Sequence, residues 1–160
     1  MTAFTKFVTL GVVVVLASAF AVTVSAQTSP EVGTWKLNVA KSKFSPGPAP
    51  KSQTVVFAAA GAGVKVSLEG VGADGSKVAQ VYTANYDGKD VPLTGSTTTD
   101  TVSLKRINAT TVERTDKKGG KVVQTITRVV SADGKSMTIT TKGTNAQGQA
   151  VNNVGVYEKQ

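Results

Sequence analysis

Three arginine side chains are the residues of this chain whose type and spacing best suit chemistry. In a β-strand alternate residues face the same side, so the face of each arginine follows from its neighbours. Each arginine shares its face with apolar residues of its own run: Arg106 with Val102 and Leu104, Arg114 with Val112, and Arg128 with Ile126 and Val130. A guanidinium group donates paired hydrogen bonds to carboxylates, so such a row inside a fold would suit the binding of an anion.

The orientation of these arginines has two interpretations. In the first, the apolar faces point inward and three guanidinium groups approach the interior, where they need acidic ligand groups, internal carboxylates or water. In the second, each arginine lies near a strand end and extends its charged head to solvent. Tyr82 and Tyr86 share a face with Val78 and Ala84; they either line a cavity with their polar tips or pack in the core or at its rim.

The elements that must carry these side chains are short β-type runs separated by glycine turns. About nine runs can be counted from "TWKLNV" to "QAVNNVGVYEK", with no helical periodicity between them, and turns such as "ADGS", "KKGG" and "SADGK" suit hairpins. The prolines of "SPGPAPKS", residues 45–52, predict an extended loop, because they lack donors and fix φ. The pattern predicts an all-β fold, a single antiparallel meander β-barrel of about eight to nine strands.

The residues on which most enzymes depend are missing. The chain contains no histidine and no cysteine, which removes the commonest general base, the commonest metal ligand and all thiol chemistry. "GVGADG", residues 70–75, has the spelling of a dinucleotide-binding motif, but a strand follows where that motif requires a helix, so a glycine-rich hairpin is predicted. Asp87 and Asp90 lack the further ligands of a calcium site, and Glu69 and Glu113 suit surface ion pairs. We expect no catalysis, no cofactor and no metal.

The first 26 residues have the layout of a secretory signal peptide. Lys6 precedes an apolar run that ends in the small-residue site Val24, Ser25 and Ala26, so residues 1–26 are expected to be removed and residues 27–160 to form one domain. We expect a secreted or periplasmic bacterial protein with no stable membrane span after processing. Removal of Lys6 lowers the net charge from +8 to +7, which favours anionic partners. Nucleic acid is not expected, because the lysines are dispersed and few aromatic residues are available for stacking.

Short stretches at the two ends of the predicted barrel carry a family resemblance. Gly33, Thr34 and Trp35 at the head of the first run are similar to the lipocalin G-x-W signature, and "SADGKSMTITTKG" and "VGVYEK" are similar to the closing strands of fatty-acid-binding proteins. The chain thus resembles the calycin type of small β-barrel. The resemblance implies that Trp35, with Gly33 before it, closes the base of the barrel and that a ligand lies in the lumen. Gly155 replaces the arginine of the R-x-Y pair that holds a ligand carboxylate in fatty-acid-binding proteins, whereas Tyr157 remains.

The expected function is the binding of a small hydrophobic or amphipathic anionic ligand inside the barrel. If the ligand has a carboxylate, the resemblance implies that Arg106 or Arg128 holds it together with Tyr157, while Tyr82 and Tyr86 line the cavity. The last strand has no arginine to match the one that packs over the tryptophan in lipocalins. The alternative function is a non-catalytic interaction module that docks an acidic component of the cell envelope through its lysine-rich outer face.

Overall fold

The computed structural model describes residues 29–160, which form ten strands and, within this range, no helix. The predicted signal peptide, residues 1–26, lies outside the described residues, and no helix in the described part is long and apolar enough to cross a membrane. The strands are β1 (Gly33–Lys43), β2 (Ser52–Ala60), β3 (Gly63–Val71), β4 (Lys77–Asn85), β5 (Val91–Pro92), β6 (Thr101–Arg106), β7 (Thr111–Lys118), β8 (Lys121–Val130), β9 (Ser136–Thr144) and β10 (Ala150–Lys159).

All ten strands belong to one antiparallel sheet with the order β4-β3-β2-β1-β10-β9-β8-β7-β6-β5. The first strand pairs with the last, and β4 and β5 are the two edges of the sheet. These edges meet just beyond β5, where Val81 and Thr94 exchange two backbone hydrogen bonds of 3.1 and 3.0 Å. The sheet is therefore a nearly closed barrel, which confirms the predicted antiparallel meander.

Ten strands are present where eight to nine were predicted, and the additional one is β5. It contains only Val91 and Pro92, and the proline is tolerated because the strand lies at the edge of the sheet. Two other local predictions are confirmed. The proline-rich stretch forms the loop between β1 and β2, and residues 70–75 form the end of β3 and the hairpin turn to β4 rather than the start of a helix.

The core consists of the inward-facing residues of nearly every strand. Trp35, Phe57, Leu104 and Met137 are its largest fully buried apolar side chains, and each contributes about 1.5–3 kcal/mol or more through the removal of apolar surface from water. Simple alternation would place Val39 on the face of Trp35, but Val39 is 39% exposed. The pairing of β1 with β10 becomes irregular between Asn38 and Lys43, which interrupts the alternation at that point.

Candidate ligand-binding cavity

The barrel interior holds a cavity of about 250 Å³, and Trp35 is not among the residues that line it. Its apolar lining comes from strands β2, β3, β8 and β9 and includes Val55, Phe57, Val66, Leu68, Ile126 and Ile139. Its polar lining includes Gln53, Gln80, Tyr82, Arg114, Asp116, Gln124, Arg128 and Tyr157. Apolar walls with a small number of polar groups are typical of sites for small amphipathic molecules.

Arg114 and Asp116 form a buried ion pair on strand β7. They are two residues apart and therefore share the inward face. Nε of Arg114 lies 2.5 Å from Oδ1 of Asp116, and Nη2 lies 2.8 Å from Oδ2, a bidentate arrangement. Thr99 also contacts the carboxylate, with Oγ1 3.5 Å from Oδ2. The charge of this arginine is thus balanced within its own strand.

Arg128 is 3% exposed and lines the same cavity, and two of its three guanidinium nitrogens make no hydrogen bond within residues 29–160. Nη1 donates a hydrogen bond of 2.8 Å to the hydroxyl of Tyr82. Nε lies 3.1 Å from Oε2 of Glu31, but its N–H does not point at that oxygen, so the contact is an ion pair without a hydrogen bond. Nη2 has no hydrogen-bond partner within residues 29–160. Burial works to lower the pKa of Arg128, but Tyr82 and Glu31 outweigh it and the pKa is raised, so the group stays charged.

Tyr82 connects the two buried arginines. Its hydroxyl accepts the hydrogen bond from Arg128, and its ring lies 4.8 Å from the guanidinium carbon of Arg114. A guanidinium group is attracted to the face of an aromatic ring, so the ring helps to fix the position of Arg114. One tyrosine therefore holds both cationic side chains against the same cavity.

Tyr157 lies on β10 and presents its hydroxyl to Gln53, with 2.6 Å between the hydroxyl and Oε1. Burial raises the pKa of Tyr157, so the phenol stays protonated and donates. Gly155, two residues earlier on the same face, leaves room for the ring. A Cβ at Gly155 would lie 2.9 Å from Cε2 of Tyr157 and 3.5 Å from Cδ1 of Leu37. The Tyr157 ring therefore packs against Gly155 and occupies the space that a side chain at position 155 would need.

A second polar group, which we call the N-terminal cluster, consists of Ser29, Glu31, Tyr86 and Arg106. Oε1 of Glu31 accepts a hydrogen bond of 2.5 Å from the Tyr86 hydroxyl, and Nη2 of Arg106 donates one of 3.2 Å to Oγ of Ser29. The guanidinium carbon of Arg106 lies 4.0 Å from the centre of the Tyr86 ring. Burial, followed by the hydrogen bond and negative charge of Glu31, raises the pKa of Tyr86 to about 12. The cluster therefore ties the segment before β1 to strands on the far side of the barrel.

Trp35 is fully buried beside this cluster. Its indole Nε1 donates a hydrogen bond of 2.8 Å to the backbone oxygen of Glu31. Gly33 has a φ of +138°, and a Cβ there would lie 2.8 Å from Cε of Lys159. Glycine is favoured at this position because the backbone angle is strained for any residue with a side chain, whereas the end of the lysine side chain could move aside.

The structure separates the predicted site residues into two groups. Arg128, Tyr82 and Tyr157 line the cavity, whereas Arg106 and Tyr86 are half-buried and line a surface cleft next to Ser29. The interpretation in which the arginines extend to solvent is wrong for Arg128 and Arg114, which are 3% and 9% exposed.

Several residues of the cavity were not among the predicted site residues. Asp116 was predictable as a site residue from the sequence, because it lies two positions from Arg114 and therefore shares its face. Gln53 carries no such signal, and neither does Glu31, which contacts Arg128 without lining the cavity, since the partners of both are distant in sequence. Within residues 29–160, no group of three acidic side chains is placed to hold a metal ion.

The comparisons with known proteins bear on the fold. No protein-family model matches the chain, and no curated protein sequence is significantly similar to it. Among solved structures, it is similar to the zebrafish ileal bile acid-binding protein complexed with cholic acid. The TM-score is 0.50 at 14% sequence identity, with 82% of this chain and 100% of that chain covered. The fold is of the calycin type. The resemblance predicted from the sequence is thus confirmed at the level of the fold, and the similar structure is a binding protein rather than an enzyme.

Proposed function

We propose that this calycin-type barrel binds a small hydrophobic or amphipathic ligand in its cavity and performs no chemistry on it. The observation that carries the proposal is an amphipathic cavity in which a buried guanidinium group, that of Arg128, retains a donor without a partner in the described chain. Buried donors are normally satisfied, so an acceptor from a ligand or from water completes the site. The similar fold, which carries cholic acid in its solved structure, supports the same use of the lumen.

The cavity suggests how such a ligand would lie. Its apolar part would contact Phe57, Leu68 and Ile139, and its polar head would lie at the end of the cavity lined by Arg128. The volume of about 250 Å³ is below the roughly 300–1,000 Å³ of common ligand pockets, which favours a compact ligand such as a medium-chain amphiphile. The signal peptide predicted in residues 1–26 supports binding outside the cytoplasm, in the periplasm or the medium.

Native mass spectrometry with solvent extraction tests this proposal on protein purified from cells that express the full chain. We expect a stoichiometric amphiphile on the wild type, and its loss when Ile139→Trp fills the cavity. Val129→Trp is the matched control, because Val129 is 40% exposed on the adjacent strand β8. A wild-type mass without ligand that stays unchanged after incubation with medium-chain amphiphiles would overturn the proposal and direct attention to the lysine-rich outer face.

A further inference from the structure

The carboxylate of Glu31 lies against the same guanidinium group that faces the cavity. Oε2 of Glu31 is 3.1 Å from Nε of Arg128, and the two side chains are only 3% and 4% exposed. Two contacts hold Glu31 in this position. Its Oε1 accepts the Tyr86 hydroxyl hydrogen bond, and its backbone oxygen accepts the Trp35 indole hydrogen bond. Glu31 is therefore a fixed counter-ion of Arg128 that the chain itself supplies.

The cavity is consequently lined by a guanidinium group whose charge is balanced. Glu31 compensates the charge of Arg128, while in the part of the chain described, Nη2 of Arg128 still lacks an acceptor. At the other guanidinium group that lines the cavity, Asp116 compensates the charge of Arg114 in the same way. The two buried positive charges are thus matched by two buried carboxylates.

These charges determine which head group the cavity accommodates. A carboxylate ligand would lose its hydration and become a third negative charge beside two guanidinium groups that are already paired. A hydroxyl group, or the carbonyl of an amide or ester, can accept a hydrogen bond from the polar lining of the cavity without bringing a charge into the interior. Because burying a net charge is costly, the cavity favours a ligand with a neutral head group.

We propose that Glu31 sets the charge preference of the cavity, so that it takes neutral amphipathic molecules with a hydrogen-bond-accepting head in preference to carboxylates of the same shape. The inference rests on the proposed function, the binding of an amphipathic ligand in the cavity. It narrows the ligand class expected from the sequence, which included anions, and it assigns the discrimination to one residue outside the β-strands.

Isothermal titration calorimetry with octanamide and octanoate tests the inference, because the two molecules have nearly the same shape and differ in charge. The wild-type protein, purified from expression of the full chain, is expected to bind octanamide at least about tenfold more tightly than octanoate. Glu31→Gln keeps an oxygen for Tyr86 but removes the counter-ion, so octanoate should gain about tenfold or more in affinity. The double variant Glu31→Gln/Arg128→Gln should lose that gain, because its site is again uncharged.

The possible results separate this inference from the proposed function. Wild-type affinity for octanoate that equals or exceeds the affinity for octanamide overturns the inference and leaves ligand binding in place. Binding of neither compound, to any variant, overturns the proposed function and the inference with it. If Glu31→Gln does not fold, the wild-type comparison of the two probes decides alone.

Discussion

The ammonium group of Lys159 lies 5.2 Å from the centre of the Trp35 ring. The two residues are partners in the pairing of β1 with β10, so the last strand covers the tryptophan of the first strand with a cation. Such a cation is attracted to the face of the indole ring. Lys159 therefore covers Trp35 from the last strand, although that strand contains no arginine.

Replacement of Trp35 by alanine should lower the free energy of unfolding by about 3–5 kcal/mol, because it leaves a large cavity and removes the indole hydrogen bond to Glu31. Urea denaturation measures this loss. Trp35 is the only tryptophan in the chain, so its fluorescence reports this position alone. We expect a blue-shifted emission that moves to longer wavelength on unfolding. An emission maximum like that of free tryptophan in water would contradict the burial.

Lys159 provides the control for this contact. Lys159→Gln should change the tryptophan emission and slightly lower the unfolding midpoint, because the cation is removed while the fold is unaffected. Lys159→Arg should restore both values, since a guanidinium group can lie over the same ring. Equal effects of the two substitutions would mean that the cation does not contribute.

The ion pair between Arg114 and Asp116 should show strong energetic coupling. Either Arg114→Met or Asp116→Asn alone is expected to cost about 3–5 kcal/mol of unfolding free energy, because each leaves an uncompensated charge in the interior. The double variant Arg114→Met/Asp116→Asn should cost much less than the sum. A double-mutant cycle by urea denaturation measures the difference.

Lys41 and Glu158 supply a matched exposed pair, with side chains 64% and 46% exposed. Lys41→Met should have little effect on stability, because solvent already screens that contact. Additive effects of the two substitutions in the Arg114–Asp116 cycle would show that the pair is not coupled in solution.

Alkaline pH should destabilise the fold through its tyrosines. Tyr86 has a pKa of about 12 in the folded state against an ordinary value of 10.0, so the folded state retains its proton over a range in which the unfolded chain has lost it. The stabilisation from this shift is complete below pH 10 and is lost as the pH rises towards 12. Burial shifts the pKa of Tyr157 in the same direction.

Ultraviolet titration of tyrosinate tests this prediction. Circular dichroism at each pH checks that the protein is still folded. Tyr86→Phe should remove the component that titrates near pH 12 and reduce the slope of stability against pH between 10 and 12. Ionisation of every tyrosine near pH 10 in the folded protein would contradict the predicted shifts.

Gly155 should not tolerate even a methyl group without cost. Gly155→Ala would place its Cβ 2.9 Å from the Tyr157 ring, which must then move within a packed interior, at a cost of about 1–3 kcal/mol. Thermal or urea denaturation measures the change. In a Tyr157→Leu background the same substitution should cost less, because the ring that the methyl group meets is absent. An equal cost in both backgrounds would place the strain elsewhere.

The fold was largely predictable because alternation and turn residues are local properties of the sequence. The glycine turns and valine- or threonine-rich runs gave nine of the ten strands. Strand β5 was not predictable, since two residues with a proline show no pattern of their own. The outward position of Val39 was not predictable from the sequence either, because it depends on an irregularity in the pairing of β1 with β10.

The candidate site was predictable only in part. The alternation of side chains placed Arg114 and Arg128 on the face of their apolar neighbours and left open whether they point inward. It does not give the height of a residue along the barrel axis, which depends on strand tilt. For this reason Arg106 and Tyr86 shared the predicted face yet lie at a separate surface cleft. Glu31 could not be assigned to Arg128 from the sequence, since the pairing of β1 with β10 and the curvature of the sheet bring the segment before β1 to strand β8.

The pairing of β1 with β10 has a kinetic consequence. Trp35 pairs with Lys159 and Leu37 pairs with Tyr157, so these two core residues are fully packed only when β10 has joined β1. Contacts so distant in sequence require the ends of a long chain segment to meet, which slows folding. The core of this barrel therefore cannot be completed before β10 has been delivered.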